Sequence, residues 1–338
     1  MNGPLAPVTM ADVGERAGVT ARTVSNVLAG RNRVRPETRE RVMRAVEELG
    51  YRINTSARGL RTGRTGAITL AIPDLGIDYF CELARSVMVE SRRHGWTVVI
   101  QQTGAVRQTE LAILAGVDRQ HSDGLIFQPH ALGPGDERYL TGKDRLVILG
   151  DRIWNGPVDH VGMANTEGAR AVTEYLVGRG YRRIAAIGVN PSVSTTSAAS
   201  LRFEGYAQGL EAADREVIPD LVEVAEEWHR RDGAVAMAHL LELPEPPDAV
   251  FCFNDDLALG ALHTIAARGL AVPGDVAVAG FDNVPAGQFA VPALTTLDPS
   301  IRQIAKHAVD LLAARVEGRS HEPREIVTDF SLVIRKSA

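Results

Sequence analysis

The chain has 338 residues, 45% of them hydrophobic, and a formal net charge of −5, enough for two or three packed units of ordinary globular composition. No run approaches the roughly 18–20 apolar residues that cross a bilayer, and Met1–Val8 lacks a basic segment followed by an apolar stretch, so no membrane association and a cytoplasmic location are expected. The two cysteines, Cys81 and Cys252, lie far apart in apolar sequence; they make neither a metal pattern nor a disulfide framework and are expected to be buried free thiols.

The charge is unevenly spread. Residues 1–66 hold twelve arginines and no lysine against six acids, a net +6, whereas the remainder carries 25 basic and 36 acidic residues, a net −11. A basic head on an acidic body is the pattern of a chain whose head alone touches nucleic acid.

In the head, MADVGERAGVTARTVSNVLA from Met10 to Ala29 parses as two short helices around a tight turn. Ala11, Val13, Ala17, Val19, Val24, Val27 and Leu28 recur at helical spacing, Gly18 can take the positive φ of the turn, and Thr20 is a good N-cap for the second helix. Two helices joined so briefly cross steeply, which leaves the polar face of the second (Ala21, Arg22, Asn26) to project into a major groove. There arginine pairs with guanine and asparagine with adenine. A third helix, RPETRERVMRAVEELG, opens on Pro36, carries Val42, Ala45, Val46 and Leu49 on one stripe and stops at Gly50.

The runs VTMADVGERAGVTARTVSNVL, RPETRERVMRAVEELGY and NTSARGLRTGRTGAI resemble, in order and without a gap, the opening of the LacI/GalR family of repressors. The resemblance implies base-reading positions at Ala21, Arg22 and Asn26 and phosphate-approaching positions at Thr20, Thr23 and Ser25. Asn26 stands where an arginine is frequent, so the operator sequence does not transfer. Arg35 stands where a capping serine is usual, which weakens that cap.

Residues 54–66 carry too little apolar surface to hold a helix unaided. The resemblance makes them a hinge that folds on the operator and wedges a leucine, here Leu60, into the minor groove. Asn54, Ala57 and Arg58 are the neighbouring candidates for DNA contact. Inserting an apolar side chain unstacks a base step at a cost of a few kcal/mol, offset by the added contact surface, and Gly59 lowers the segment's helix propensity by up to about 1 kcal/mol.

From Ala67 onward short β-branched runs alternate with amphipathic helices: ITLAIP, TVVIQQ, GLIFQP, LVILG and HVGM, then after Asn165 IAAIGV, LVEVAE, AVFCFND and VAVAGFD. Such alternation predicts an α/β body with right-handed crossovers and parallel sheets. The two series predict two lobes, about 67–164 and 165–292, with the chain crossing back near 281–298. The domain division expected is a helix-turn-helix head over 1–53, a hinge over 54–66 and a body over 67–338. Ligands of such sheets bind past the carboxyl ends of the strands, where Asp74, Gln128, Asp151, Asn254 with Asp255, and Asp282 with Asn283 stand, with Tyr79, Phe80 and Trp228 nearby. Carboxylates and amides beside flat aromatic faces suit a polyhydroxylated ring. Taken singly, each such Asp or Asn is better read as a helix cap or turn former.

The body carries the same resemblance in ITLAIPD, LVILGDR, LRFEGY, CFNDDLALGAL, VAVAGFDN and PALTTLDPSIRQIAKHAVDLL. It implies a periplasmic-binding-protein-like body and a ligand role for Asp74, Tyr79, Phe80, Gln128, Asp151, Arg202, Trp228, Asn254 and Asp282. Gly76–Phe80 stands where an Asn-Pro and two phenylalanines are common, so the ligand's identity does not transfer.

No G-x-S-x-G elbow, Walker-type loop or G-x-G-x-x-G fingerprint follows the strands, and the nine histidines show no metal-ligand spacing and read as surface or packing residues. No catalytic residue, cofactor or metal is expected. The partners expected are a near-palindromic double-stranded operator, a sugar-like effector and a second copy of the chain. Only three residues follow Arg335, which favours a dimer over a tetramer. The alternatives are a regulator that senses a nucleoside or other metabolite, or one that docks a partner protein.

Overall fold

A computed structural model describes residues 8–28, 34–51, 64–116, 122–190, 196–319 and 321–338. It divides into two compact units, Met1–Arg64 and Thr65–Ala338. The hinge candidates Asn54, Ala57, Arg58 and Leu60 lie outside the described residues.

The first unit holds α1 (Met10–Ala17), α2 (Ala21–Leu28) and α3 (Pro36–Leu49). Thr9 caps α1 reciprocally with Asp12: Asp12 N donates to Thr9 Oγ1 at 3.3 Å and Thr9 N to Asp12 Oδ2 at 2.7 Å. Gly18, at φ 65°, ends that helix, and Thr20 Oγ1 accepts from Thr23 N at 3.3 Å to start α2. Arg35 gives α3 no side-chain cap. Val13, Ala17, Val24, Val27, Val42, Ala45 and Tyr51 form the core. Ala11 is exposed and does not join them. What the apolar pattern misses is Gly14, where a Cβ would come within 2.7 Å of Val19 O: the turn folds back onto α1 itself.

The second unit is built on two six-stranded sheets. The first runs β11-β5-β4-β3-β1-β2, from β1 (Ala67–Ile72), β2 (Thr97–Gln102), β3 (Leu125–Phe127), β4 (Leu146–Leu149), β5 (Asp159–Met163) and β11 (Glu325–Thr328), all parallel. The second runs β12-β10-β9-β8-β6-β7, from β6 (Ile184–Val189), β7 (Val222–Val224), β8 (Ala249–Cys252), β9 (Ala277–Phe281), β10 (Thr295–Asp298) and β12 (Ser331–Val333), with only β12 antiparallel. The helices are α4 (Asp78–Ser91), α5 (Arg107–Gly116), α6 (Asn165–Gly178), α7 (Ala198–Glu211), α8 (Arg230–Leu241), α9 (Asp255–Ala267), α10 (Pro285–Phe289) and α11 (Ile301–Val316).

The chain passes between the sheets after Met163, after Asp298 and after Thr328. The return expected near 281–298 comes directly after Asp298, because β10 pairs with β9 and stays in the second sheet. α11 then packs on α4 and on β3, β4 and β5. Thr328 Oγ1 donates to Pro299 O at 3.0 Å, tying the second and third passages together. Cys252 is buried as expected, but Cys81 is exposed, because α4 turns that position away from β1.

Candidate functional site

On α2, Thr20, Ala21 and Arg22 are exposed, while Thr23, Ser25 and Asn26 are half-buried. Thr20 and Thr23 share a hydroxyl–hydroxyl bond of 3.1 Å, so part of their donor capacity is spent in setting the helix start. Val24 and Val27 anchor the opposite face.

In the body, a cleft of about 360 Å³ opens past the carboxyl ends of both sheets, and all nine residues expected to bind a ligand line it. Arg202, on α7, is its buried cation. Nε donates to Asn165 Oδ1 at 2.7 Å, Nη1 to Phe253 O, and Nη2 to Met163 Sδ at 3.5 Å; Asp282 Oδ1 lies 3.6 Å from Nη2. The guanidinium stacks 3.7 Å from the Phe281 ring centroid.

Asp282 is only 4% exposed and takes φ 112°, a backbone region an L residue enters at a cost of about 1–3 kcal/mol. Its loop is held against that strain. Asp282 N donates to Leu297 O at 2.8 Å, Val284 N to Asp255 Oδ2 at 2.8 Å, and Asn283 Oδ1 accepts from Arg335 at 2.7 Å. Burial pushes the Asp282 carboxyl up to about 7, against the pull of Arg202. Asp151 is pushed up to about 6 for the same reason, with Arg202 again opposing. Burial and these two acids raise the Tyr79 hydroxyl, and Tyr79 meets Phe80 edge-on at 5.1 Å.

Three buried acceptors in the cleft, Gln128 Oε1, Asp151 Oδ1 and Asp282 Oδ1, have no hydrogen-bond partner among the described residues. Buried acceptors are nearly always satisfied, so these three are open to a donor. Asn254 is different: its Oδ1 caps α9 through Leu257 N at 2.7 Å and its Nδ2 donates to Trp228 O at 3.0 Å. It lines the cleft with its amide already committed. Asp74 is likewise engaged, through Gly76 N at 2.8 Å and His229 Nε2 at 3.1 Å.

The sequence reading missed several residues here. His130 and His229 line the cleft rather than serving as surface or packing residues, and Arg152, Met163, Asn190 and Ser197 join them. Two links also cross between the lobes. Asp74 meets His229; Asp78 N donates to Asp256 Oδ2 at 2.9 Å while Arg230 bonds Asp256 at 2.8 Å and also Asp78. The contacts from Asp74 and Asp78 join positions 152 to 178 residues apart, which no local pattern encodes. Among the described residues no three His, Cys, Asp or Glu side chains gather to hold a metal, and no helix is long and apolar enough to cross a membrane.

Residues 9–54 match the profile of bacterial regulatory proteins of the lacI family, and residues 173–338 that of a periplasmic binding protein-like domain. The HTH-type transcriptional repressor PurR of Histophilus somni is 30% identical over 333 residues, which cover 97% of this chain and 98% of that one. Among solved structures, a LacI-family transcriptional regulator from Sanguibacter keddieii is 42% identical, with TM-score 0.74 over 81% of this chain and 98% of its own. The transcriptional regulator CelR in complex with cellobiose is 28% identical, with TM-score 0.71 over 98% of this chain and all of its own. The chain thus belongs to the LacI family of bacterial regulatory proteins: it is a transcriptional repressor with a ligand-binding body, and not an enzyme.

Proposed function

We propose that the chain is a cytoplasmic homodimer that reads a near-palindromic operator with α2, and that a sugar-like effector in the cleft sets its grip on DNA. Residues 1–53 are the reading head, 54–66 the hinge and 67–338 the sensing and dimerising body. Arg22 and Asn26 read bases together with Ala21; Thr20, Thr23 and Ser25 approach phosphates; Asn54, Ala57, Arg58 and Leu60 act at the centre of the site. The observation that carries the effector is that three buried acceptors without a hydrogen-bond partner among the described residues, on Gln128, Asp151 and Asp282, line one cleft with Arg202 and the rings of Tyr79, Phe80 and Trp228. A polyhydroxylated ring supplies donors to the first and a C–H face to the second. The likeness to a cellobiose-bound regulator points the same way. A nucleoside, with a ribose for the acceptors and a base for the aromatic faces, is the second reading. For the second copy, Phe289 and Val291, 79% and 92% exposed, offer an apolar patch on the second lobe.

Arg22→Ala is expected to cost about 1–3 kcal/mol at one base position of the operator and to relax selectivity there. Anisotropy titrations against single-base operator variants measure this; equal weakening on every variant would make Arg22 a phosphate contact instead.

Effector binding is also expected to depend on pH. Hydroxyl donors favour the ionised carboxylates, so binding lowers the raised pKa values of Asp282 and Asp151 and releases protons. Affinity therefore falls as pH drops through about 7 and 6, while the ligand-free body, which takes up protons on folding in that window, gains stability. Calorimetric titrations at pH 8 and pH 6 check the first effect, and Asp282→Asn should flatten it near pH 7.

A further inference from the structure

One corner of the cleft is unused by a neutral ring. Arg152, half-buried three residues after β4, makes one side-chain hydrogen bond among the described residues, from Nε to Leu132 O at 3.2 Å. It lies across Gly133, where a Cβ would come within 3.3 Å of Nη2. Glu110 and Asp136 attract it but make their hydrogen bonds elsewhere. Glu110, fully buried, accepts from His130 N and Leu132 N at 2.8 Å each and from Ala131 N at 3.1 Å. Asp136 accepts both Arg107 terminal nitrogens at 2.6 Å and Gly133 N at 3.1 Å. Asp151, next in the chain, attracts Arg152 without bonding to it. Burial lowers the Arg152 pKa, against the pull of Glu110, Asp136 and Asp151.

His130 lies beside Arg152 on the cleft lining. Ser197, Ala198 and Ala199, at the start of the 14-residue helix α7, line the same cleft, and Thr196 Oγ1 donates to Arg152 O at 3.4 Å. A helix start beside a guanidinium favours negative charge.

We propose that the effector carries an anionic substituent, a phosphate ester or a carboxylate, received by Arg152 with His130 and the start of α7, while its hydroxylated body rests on Asp151, Arg202 and Asp282. This deepens, and rests on, the effector reading given above. The ligand is then two-ended: donor groups face the acceptors of Gln128, Asp151 and Asp282, and acceptor oxygens face the Arg152 guanidinium, whose fork suits both phosphate and carboxylate.

The full chain is titrated with inorganic phosphate against chloride at fixed ionic strength, and with matched sets of a hexose, its 6-phosphate and its uronic acid. Phosphate is expected to raise the unfolding midpoint of the wild type by about 3 °C. Arg152→Gln removes that rise and Arg152→Lys keeps part of it. In the matched sets, one anionic member binds about tenfold or more tighter than its parent hexose, and Arg152→Gln erases that difference. Which member gains tells ester from carboxylate. No phosphate response in the wild type, or one that survives Arg152→Gln, overturns the proposal. An Asp282→Ala chain that binds every sugar as the wild type does overturns the effector reading, while the Arg152 result stands separately.

Discussion

Replacing Arg202 with leucine is expected to abolish the effector response and to destabilise the body by about 3–5 kcal/mol. The guanidinium is enclosed by Asn165, Phe253 O, Met163, Asp282 and the Phe281 ring, so its loss leaves buried carboxylates without their cation and a carbonyl without its donor. A second substitution separates charge from packing: Arg202→Leu with Asp282→Leu should be more stable than Arg202→Leu alone, because the stranded carboxylate is gone. Urea unfolding followed by tryptophan fluorescence measures both, since Trp96, Trp154 and Trp228 all lie in the body. The head, a separate compact unit, should keep its operator binding in the absence of effector. If Arg202→Leu alone is as stable as the wild type, the buried ion pair does not organise the cleft.

The second large effect comes from glycine. Gly260, within α9, would place a Cβ 1.9 Å from Arg230 O and 2.7 Å from Ala234 N, and Gly233 on α8 would place one 2.1 Å from Leu257 O. The two helix backbones touch through this pair. Helix propensity alone favours alanine at Gly260 by about 1 kcal/mol, but backbone atoms cannot yield as a flexible side chain can. Gly260→Ala is expected to cost about 3 kcal/mol or more by the same unfolding measurement. The separation would also displace Arg230 and Asp256, at the starts of α8 and α9, and so the link to Asp78 across the cleft. A neutral or stabilising result would mean that the helices do not meet at this pair.

These two cases show what the sequence discloses and what it hides. The head is legible because its signals are local: Gly18 and Gly50 take the left-handed φ expected of them, Thr20 starts α2, and Arg35 leaves α3 uncapped. The cleft is legible because parallel strands all deliver the residues after them to one edge, so Asp74, Gln128, Asp151, Asn254 and Asp282 meet without any long-range information. What does not show is anything decided by distance between remote segments. Arg152 reads as an ordinary charged loop residue until Glu110 and Asp136 are seen to be occupied elsewhere. The ligand-ready look of Asn254 hides that its amide is spent on α9 and Trp228. Alternation alone places the return only near 281–298, and the pairing of β10 with β9 sets it after Asp298.

The central claim is that an exposed face of α2 selects DNA and that the cleft in the body governs the selection. Enrichment of bound duplexes from a random pool, carried out on the full chain at physiological salt with and without a panel of neutral and anionic sugars and nucleosides, tests it most directly. The account requires a near-palindromic consensus whose recovery changes with at least one compound, and requires that Asp282→Ala keep the consensus but lose the change. Recovery of unselected DNA under every condition would contradict it.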